Sequence, residues 1–514
     1  MADGGLHEAS NIAFASGAMP GVRIELRGVW GRERLSRLFE YDLILMRKRE
    51  EDPFTDDELD ALLKAPCAIS MGPRVGDQVH GLLESIELID VTREVAPRYH
   101  ARLVPSVWPL TVARSCRVYQ DTTIPDMVTE LLQLYGLSPG EDFELRILGD
   151  TPEYEYVVQY QESEWDFIQR WLEREGYFYW FEHSGSGDKL IIADSNAAVT
   201  PIKAPSTISY REINNLGADV STVFSWNLHQ RRVPAKVAVF DYNYRTPSEP
   251  LVATGEIDVQ RGLGTVCYYG EHFKDSGQGK RVAKLRAERH LCERRTYTAR
   301  TDCPRFRVGH RFELENHHDA SHDGPYMITA IEHRAGYPVR ELQGLVPTTS
   351  GARPFVHSER DDAGEMSEQY SARFEAIPYE VQFRPEMVTP WPSIHGVMHA
   401  HVASDTSGDY AQIDEQGRYK VKLPFDVSGR TGTRVSRWIR MAQPYSGSGY
   451  GTHFPLHKGA EVLLAYIDGD PDRPIIVGAV PNPQTASPTT MMNSTQSVIH
   501  TASGIRIELE DNQD

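Results

Sequence analysis

Long apolar runs are missing from this chain of 514 residues. The longest, such as residues 462–467, are far shorter than the roughly 20 residues that a membrane-spanning helix needs. The first residues contain neither a basic nor an apolar segment, so no secretory signal peptide is predicted. The sequence therefore predicts a protein that is not integral to a membrane and that needs a dedicated machine to leave the cell.

Positive charge and cysteine are also scarce. The chain has 54 Lys and Arg against 73 Asp and Glu, a formal net charge of −19, so it repels phosphates and free nucleic acid is not an expected partner. Its five cysteines are an odd number and include no CxxC pair, which argues against a disulfide framework and a cysteine zinc site. We expect reduced and mostly buried thiols.

The remaining composition is that of a soluble globular protein, with 40% hydrophobic and 25% charged residues. At roughly 150 residues per domain, the length predicts about three domains. Much of the chain alternates apolar and polar residues with the period of a strand, as Phe39, Tyr41 and Leu43 do. The prediction is a mainly β fold with inserted helices and a mobile tail over residues 1–20.

Four helices are predicted from their end signals. Thr55 and Glu58 have the spacing of a capping box at the start of the first helix. Ser163 can cap the third helix, which ends at Gly176. The second and fourth helices are predicted over residues 124–135 and 276–294. The aromatic run that follows the third helix, residues 177–181, is predicted to be a core strand that turns back at residues 184–188.

The C-terminal third has a different organisation. Residues 350–379 are polar and acidic and are predicted to be a linker or a long excursion between domains. From about residue 388 the pattern indicates a small all-β barrel whose turns are rich in Gly and Asp. Its predicted strands are residues 419–423, 438–441, 461–467 and 475–480. A second linker covers residues 481–493.

The last segment alternates apolar and polar residues without interruption. Ile505, Ile507 and Leu509 lie on one face of the predicted strand. A single strand cannot bury such a face, so we expect its neighbours to come from other copies or from sequence absent from this chain.

Several long blocks of sequence, in the same order across nearly the whole chain, carry a family resemblance. In the first part they are residues 35–43, 107–110, 117–120 and 158–179, and in the last part residues 417–422, 438–444 and 469–476. These blocks resemble the hub domain and the oligonucleotide/oligosaccharide-binding (OB) type barrel of VgrG proteins. That family comprises the trimeric spikes of bacterial type VI secretion and related phage-tail-like contractile injection machines.

The resemblance implies a homotrimer. It implies a phage-hub-like base over residues 21–380, a five-stranded OB-type barrel as the neck over residues 381–485, and a linker with the first strand of a triangular β-helix needle over residues 486–514. The implied partners are the tube protein ring below the hub, baseplate proteins, and a PAAR-like tip protein and effectors above the needle. The target membrane is contacted only transiently. Assembly is expected in the cytoplasm, followed by export through the machine.

This chain departs from the family pattern at its end. It lacks a long needle, the valine-glycine repeats and a C-terminal effector domain. We therefore expect either a truncated chain or an unusually short member.

No catalytic, cofactor-binding or metal-binding residue is predicted. His318 and His322 have the spacing of zinc ligands on a helix, but Gly324 and Pro325 follow and no third ligand is evident, which favours an exposed turn. Three other segments contain partial motifs. His395, His399 and His401 supply too few ligands for a metal site. Residues 468–472 begin like a calcium-binding loop but lack its ending, and they are predicted to be a hairpin turn. Residues 446–451 have the glycine spacing of a phosphate-binding loop, but no helix follows them.

The predicted function is that of a non-enzymatic spike that punctures a target membrane and carries a tip protein or effectors. Two alternatives stay open. One is a metal-dependent hydrolase built on His317, His318 and His322, and the other is an oligonucleotide- or oligosaccharide-binding module built on the barrel.

Overall fold

The computed structural model describes residues 12–20, 22, 24–47, 52–72, 78–92, 95–185, 187–211, 221–336, 370–426 and 435–512. These residues form four α-helices among many strands. Helices α1 to α4 span Asp56–Lys64, Ile124–Leu134, Glu164–Glu175 and Ser276–Leu291. Across these ranges, no helix is long and apolar enough to cross a bilayer.

The helices begin and end where the local sequence requires. At α1, the Glu58 backbone N–H donates to the Thr55 hydroxyl, and the Thr55 N–H donates to the Glu58 carboxylate over 2.8 Å. The hydroxyl of Ser163 accepts a hydrogen bond from the Asp166 N–H over 3.0 Å, which caps α3. After α3, Gly176 adopts a φ of 73°, a conformation that favours glycine. The four predicted helices are confirmed.

The chain divides into two compact units. The first comprises Met1–Val112, Thr129–Asp150 and Ile168–Thr389. The second comprises Ala113–Val128, Thr151–Phe167 and Pro390–Asp514. Ala113–Val128 and Thr151–Phe167 therefore belong to the second unit although they precede residue 380. The domains predicted from the sequence are each continuous in sequence and do not include such insertions.

A 13-stranded sheet dominates the first unit. Its strands lie in the order Ala13–Ser16, Pro66–Ser70, Gln78–Thr92, Val95–Val104, Glu40–Met46, Glu25–Arg34, Gly324–Gly336, Ser371–Pro378, Arg295–Thr301, Thr222–Gln230, Thr207–Tyr210, His310–Glu315 and Thr200–Pro201. Strand Gly324–Gly336 also pairs with His310–Glu315, so these two strands and the four between them in the sheet order, six in all, close into a barrel. Closure leaves these strands without a free edge.

The core of this barrel is aromatic. Trp226 stacks on Tyr297 with ring centroids 4.8 Å apart, and Phe306 and Phe374 are completely buried. The predicted aromatic strand belongs to the same core, since Phe178 and Trp180 have relative exposures of 0% and 1%. That strand, Phe178–Ser184, pairs with Gly187–Ala193, which confirms the predicted hairpin and the core role of its aromatic side chains.

Smaller elements complete the first unit. Phe143–Arg146 joins the aromatic hairpin as a parallel third strand. A separate sheet of Leu251–Glu256, Lys236–Asp241 and Thr265–Tyr269 packs against α4. Val237, Val239 and Ala253 of this sheet share a buried cluster with Ala283 and Ala287 of α4.

A buried ionic cluster lies within the first unit. His333 Nε2 is 3.2 Å from a Glu33 carboxylate oxygen, and His333 Nδ1 is hydrogen-bonded to the Tyr370 hydroxyl over 2.6 Å. Glu33 also accepts from the Tyr41 hydroxyl and lies 3.6 Å from the Arg307 guanidinium. Burial alone would raise the Glu33 pKa, but His333 and Arg307 outweigh it and hold that pKa well below its usual value. Burial, opposed by Glu33, lowers the pKa of His333.

The second unit contains the predicted barrel. Its four-stranded sheet has the order Lys420–Lys422, Val397–Ala403, Glu461–Tyr466 and Pro474–Ala479. A fifth segment links the two edges, because Ile439 pairs with Tyr419 and Met441 pairs with Ile476. Five chain segments thus close around a core to which Val118, Tyr156 and Val158 also contribute, as the five-stranded OB-type prediction requires.

Short strand pairs complete the described secondary structure. Arg114–Tyr119 pairs with Val157–Ser163, and Thr122–Thr123 pairs with Glu153–Tyr154. Ser446–Gly447 pairs with Tyr450–Gly451 near the barrel strands in sequence. Gln496–His500 pairs with Arg506–Glu510 at the end of the chain.

Two sequence predictions need correction in part. Residues 350–379 are not a linker throughout, because Ser371–Pro378 is a strand hydrogen-bonded to neighbours on both sides. Within the predicted tail of residues 1–20, Ala13–Ser16 is a strand that pairs with Pro66–Ser70. The remaining residues of these two segments lie largely outside the described ranges. The sequence prediction missed Ser371–Pro378 because residues 350–379 are polar and acidic overall, although Phe374 and Ala376 within the strand are completely buried in the core. It missed Ala13–Ser16 because that strand has only four residues, most of them small.

Candidate assembly surface

The C-terminal residues form an antiparallel hairpin. Gln496 lies opposite Glu510, and His500 lies opposite Arg506. In the connecting turn, the Thr501 N–H donates to the Ile505 carbonyl over 2.9 Å, and Gly504 adopts a φ of 93°. The turn thereby fixes the register of the two strands.

One face of this hairpin is apolar. Ile507 lies directly opposite Ile499, and Leu509 lies opposite Ser497. Because side chains alternate along a strand, Ile505 is on the same face. The exposed fractions are 46% for Ile499, 65% for Ile505, 55% for Ile507 and 63% for Leu509. The second unit therefore has four large apolar side chains on one face of a two-stranded ribbon.

The opposite face is polar. Arg506 Nε lies 2.7 Å from a Glu508 carboxylate oxygen. Glu510 and Gln496 face each other on the same side. The ribbon is thus two-sided: the ionic groups lie on one face, with Val498 as an apolar neighbour of Glu508, and the four large aliphatic groups lie on the other.

The structure places the three predicted needle residues, Ile505, Ile507 and Leu509, together on one face but corrects the context of their strand. The strand is not alone within the chain, because Gln496–His500 is its partner. The sequence prediction missed this partner since only Val498 and Ile499 are apolar there and they are adjacent, which obscures the alternation. The four-residue apolar face still has no cover from the described residues, as its exposure shows.

The predicted linker ahead of the hairpin has local structure of its own. Thr490 and Asn493 form a capping box around the short 3-10 helix Met491–Asn493. The Asn493 side chain also donates to Gln496 Oε1 over 3.0 Å, which connects this turn to the first hairpin strand. Met491 and Met492 are 89% and 85% exposed.

The histidine-rich turn, residues 317–322, is held by hydrogen bonds between its own side chains and its own backbone. The His317 and His318 ring centroids are 4.1 Å apart, and those of His317 and His322 are 4.8 Å apart. Residues 320–322 form a single 3-10 turn that the Asp319 side chain caps, so the predicted turn is confirmed in place of a helix. The Asp319 N–H donates to His317 Nδ1 over 3.1 Å. Among the residues that the structure describes, no group of three or more His, Cys, Asp or Glu is arranged to hold a metal ion.

The other two candidate segments also have structural contacts. His399 and His401 alternate along the barrel strand Val397–Ala403, and His399 Nδ1 lies 2.6 Å from a Glu461 carboxylate oxygen. Residues 468–472 form the predicted turn between the last two barrel strands. There Asp472 accepts a hydrogen bond from the Val158 N–H over 2.6 Å, within the second unit.

The cysteines are free thiols in the structure. Cys67, Cys292 and Cys303 are buried, Cys116 is partly buried and Cys267 is exposed. Burial raises the pKa of Cys292 to about 11, which makes its thiol unreactive at neutral pH.

Comparison with protein-family models gives two matches. Residues 32–338 match the model of the phage tail baseplate hub (GPD), and residues 406–480 match the model of the type VI secretion system/phage-baseplate injector OB domain. The first match covers more than half of the chain. The second covers the barrel of the second unit except its strand Val397–Ala403.

Curated relatives agree with these models. The chain is 27% identical over 487 residues to the type VI secretion system spike protein VgrG1c of Pseudomonas aeruginosa, with 92% of the chain and 62% of that relative covered. It is 28% identical to VgrG1a of the same organism, with 92% of the chain and 70% of that protein covered. It is 25% identical to the actin cross-linking toxin VgrG1 of Vibrio cholerae, with 93% of the chain but 42% of the toxin covered. The chain thus spans about 60% of the length of the first of these relatives.

Solved structures agree on the fold. The E. coli c3393 protein, a type VI secretion component described as similar to the T4 bacteriophage tail proteins gp27 and gp5, matches with a TM-score of 0.64 and 21% identity over 91% of this chain and 99% of that one. The lidded Francisella PdpA-VgrG complex matches with a TM-score of 0.57 and 7% identity over 95% of this chain and 72% of that one.

Proposed function

Since the chain belongs to the phage tail baseplate hub family, we propose that it is the trimeric spike of a type VI secretion-like contractile injection machine. It acts mechanically and not as an enzyme. Three copies form a wide base that caps the tube, and the barrels form a narrower neck. The C-terminal hairpins begin a needle that concentrates the force of contraction on a small area of the target membrane.

The observation that supports this proposal is the apolar face of the C-terminal hairpin. Ile499, Ile505, Ile507 and Leu509 are each about half exposed or more in a single copy. A two-stranded ribbon is only marginally stable in water, and it needs further strands or packing partners. Three ribbons around a common axis bury these side chains inside and keep Arg506, Glu508 and Glu510 outside. Closed symmetry also removes the free strand edges.

The division of the chain follows the same proposal. Residues 21–380 supply most of the base, residues 381–485 supply the neck, and residues 486–514 supply the linker and the start of the needle. The curated VgrG relatives and the shared hub fold support this order of parts.

The proposed partners are protein surfaces. They are the tube ring below the base, baseplate proteins, and a PAAR-like tip protein with effectors above the needle. A formal net charge of −19 disfavours nucleic acid as a partner. The spike assembles in the cytoplasm and leaves the cell through the machine, touching the target membrane only in passing. The spike names of the relatives support this route.

Light scattering on the purified full chain tests the proposal. We expect the mass of three copies at micromolar concentration. Ending the chain at Asn493, or changing Ile507→Ser on the apolar face, lowers the mass towards one copy on dilution, because each removes apolar area that the trimer buries.

The matched control is Glu508→Ser, a truncation to the same residue type at the next position, on the opposite face. This variant should keep the mass of three copies. A full chain that stays a folded single copy overturns the proposal, and a trimer that survives loss of residues after Asn493 shows that the hairpin does not hold it together.

A further inference from the structure

An uncharged stretch stands out in the second unit. Residues 441–457 contain no Asp, Glu, Lys or Arg, in a chain of which 25% is charged. They are rich in Tyr, Ser and Gly, the residue types with which antibody loops combine rigid aromatic anchors and adaptable polar contacts. The stretch includes the hairpin of Ser446–Gly447 and Tyr450–Gly451, which we call the tyrosine hairpin.

Aromatic rings are exposed on and beside the tyrosine hairpin. Tyr445, Tyr450 and Phe454 are 61%, 60% and 54% exposed. The Tyr445 and Tyr450 ring centroids are 5.4 Å apart. A Cβ atom at Gly447 would lie 2.2 Å from the Tyr450 ring, so glycine at this position lets the ring lie across the hairpin. The two rings form one continuous exposed aromatic surface.

Hydrogen bonds hold this surface in place on the barrel. The Thr452 N–H donates to the Tyr445 carbonyl over 3.0 Å. Beyond Phe454, the Leu456 N–H donates to the hydroxyl of Tyr419, and His453 Nε2 lies 3.1 Å from that same hydroxyl. Tyr419 is completely buried in the barrel core. These hydrogen bonds fix the backbone that carries the exposed rings, which lowers the entropy cost of binding through them.

We propose that the tyrosine hairpin, with Phe454, is a second contact surface between copies of this chain. This inference rests on the proposed trimer. A stable interface engages roughly 20–30 residues a side, and obligate ones engage more. The C-terminal hairpin offers four apolar side chains, so most of the contact must lie elsewhere.

The chemistry of the tyrosine hairpin fits a second copy better than other partners. Interface cores are enriched in Tyr and Phe and depleted in charge, as residues 441–457 are. Single-stranded nucleic acid needs a basic groove beside its stacking rings, and this stretch has no Lys or Arg. Since each copy has a net charge of −19, contact between copies is most favourable where no charge is present.

Dilution of the trimer tests the inference. In the full chain, the double change Tyr445→Ser and Tyr450→Ser should raise the dissociation constant of the trimer at least about tenfold, which is the effect of losing 1.4 kcal/mol. The matched control is Tyr269→Ser, which removes a tyrosine that is 69% exposed in the first unit. Circular dichroism checks that each variant remains folded.

A second measurement does not depend on removing the rings. A photo-reactive phenylalanine analogue in place of Tyr450, in an otherwise unchanged full chain, should join two copies of the assembly on illumination. A trimer that tolerates the double change and gives no such product overturns this inference and leaves the proposed function intact. A full chain that is a single copy overturns the proposed function itself, so the two failures are distinguishable.

Discussion

The ring of His333 is completely buried and has a polar neighbour at each nitrogen. A neutral ring with its hydrogen on Nε2 suits both neighbours, because Nε2 then donates towards the Glu33 carboxylate and Nδ1 is free to accept from the Tyr370 hydroxyl. Protonation would add a positive charge close to the buried Arg307 guanidinium. Burial and the nearby positive charge therefore favour the neutral ring, and the pKa of His333 is lowered.

This arrangement predicts a loss of stability in mild acid. In the unfolded chain, His333 takes up a proton near pH 6.5, whereas the folded chain does so only at lower pH. The unfolded state then binds more protons, so the free energy of unfolding falls as the pH falls, by at most about 1.4 kcal/mol per pH unit for one histidine. Denaturant titrations followed by tryptophan fluorescence between pH 7 and pH 5 should show this slope, and His333→Gln should make it shallower.

A matched histidine separates this effect from general acid sensitivity. His500→Gln, which removes an exposed histidine from the C-terminal hairpin, is the matched control for the loss of one histidine. If His333→Gln and wild type had the same slope, the His333 ring would take up its proton at the same pH in the folded and unfolded chains, and the argument would be wrong.

At the scale of single elements, helix α1 offers a test of local capping. Thr55 accepts from the Glu58 N–H at the start of this helix. Thr55→Ala should lower the stability of the first unit by about 1 kcal/mol, because an N-terminal donor loses its partner. Thr55→Ser keeps the hydroxyl and should change stability by a few tenths of that amount. Thermal unfolding of the three proteins measures the difference, and equal midpoints for Ala and Ser would contradict the role of the cap.

Elements with strong local signals were predictable from the sequence. The capping residues Thr55 and Ser163 and the glycine at position 176 mark helix ends through interactions between near neighbours, and these helices are confirmed. The family resemblance is also confirmed, since it depended on long ordered blocks and not on one motif.

Elements stabilised by distant pairing were not predictable. Strand Ser371–Pro378 lies between Arg295–Thr301 and Gly324–Gly336, which are far away in sequence. The partner of the last strand, Gln496–His500, has too few apolar residues to show a period of two. At the candidate assembly surface, the sequence therefore predicted Ile505, Ile507 and Leu509 but missed Ile499, whose place opposite Ile507 depends on the hairpin register.

At the scale of the whole molecule, net charge works against assembly. Each copy has a formal charge of −19, so three copies around one axis repel one another over a range set by the salt. The two proposed contact surfaces are apolar or uncharged: Ile499, Ile505, Ile507 and Leu509 on the hairpin face, and residues 441–457 beside the barrel. Burial of such surfaces must outweigh the repulsion, and it does not depend on ion pairs.

The proposed assembly should therefore tighten as salt is added. Raising NaCl from about 0.05 M to about 0.5 M shortens the Debye length several-fold and screens the repulsion between copies, while it leaves apolar contacts in place. Sedimentation of the full chain over a dilution series should give a lower dissociation constant at the higher salt concentration. The Glu508→Ser variant, which keeps both contact surfaces, should respond in the same direction. A trimer that dissociates as salt rises would mean that ion pairs between copies hold it together, and would contradict an interface built on the hairpin face and the tyrosine hairpin.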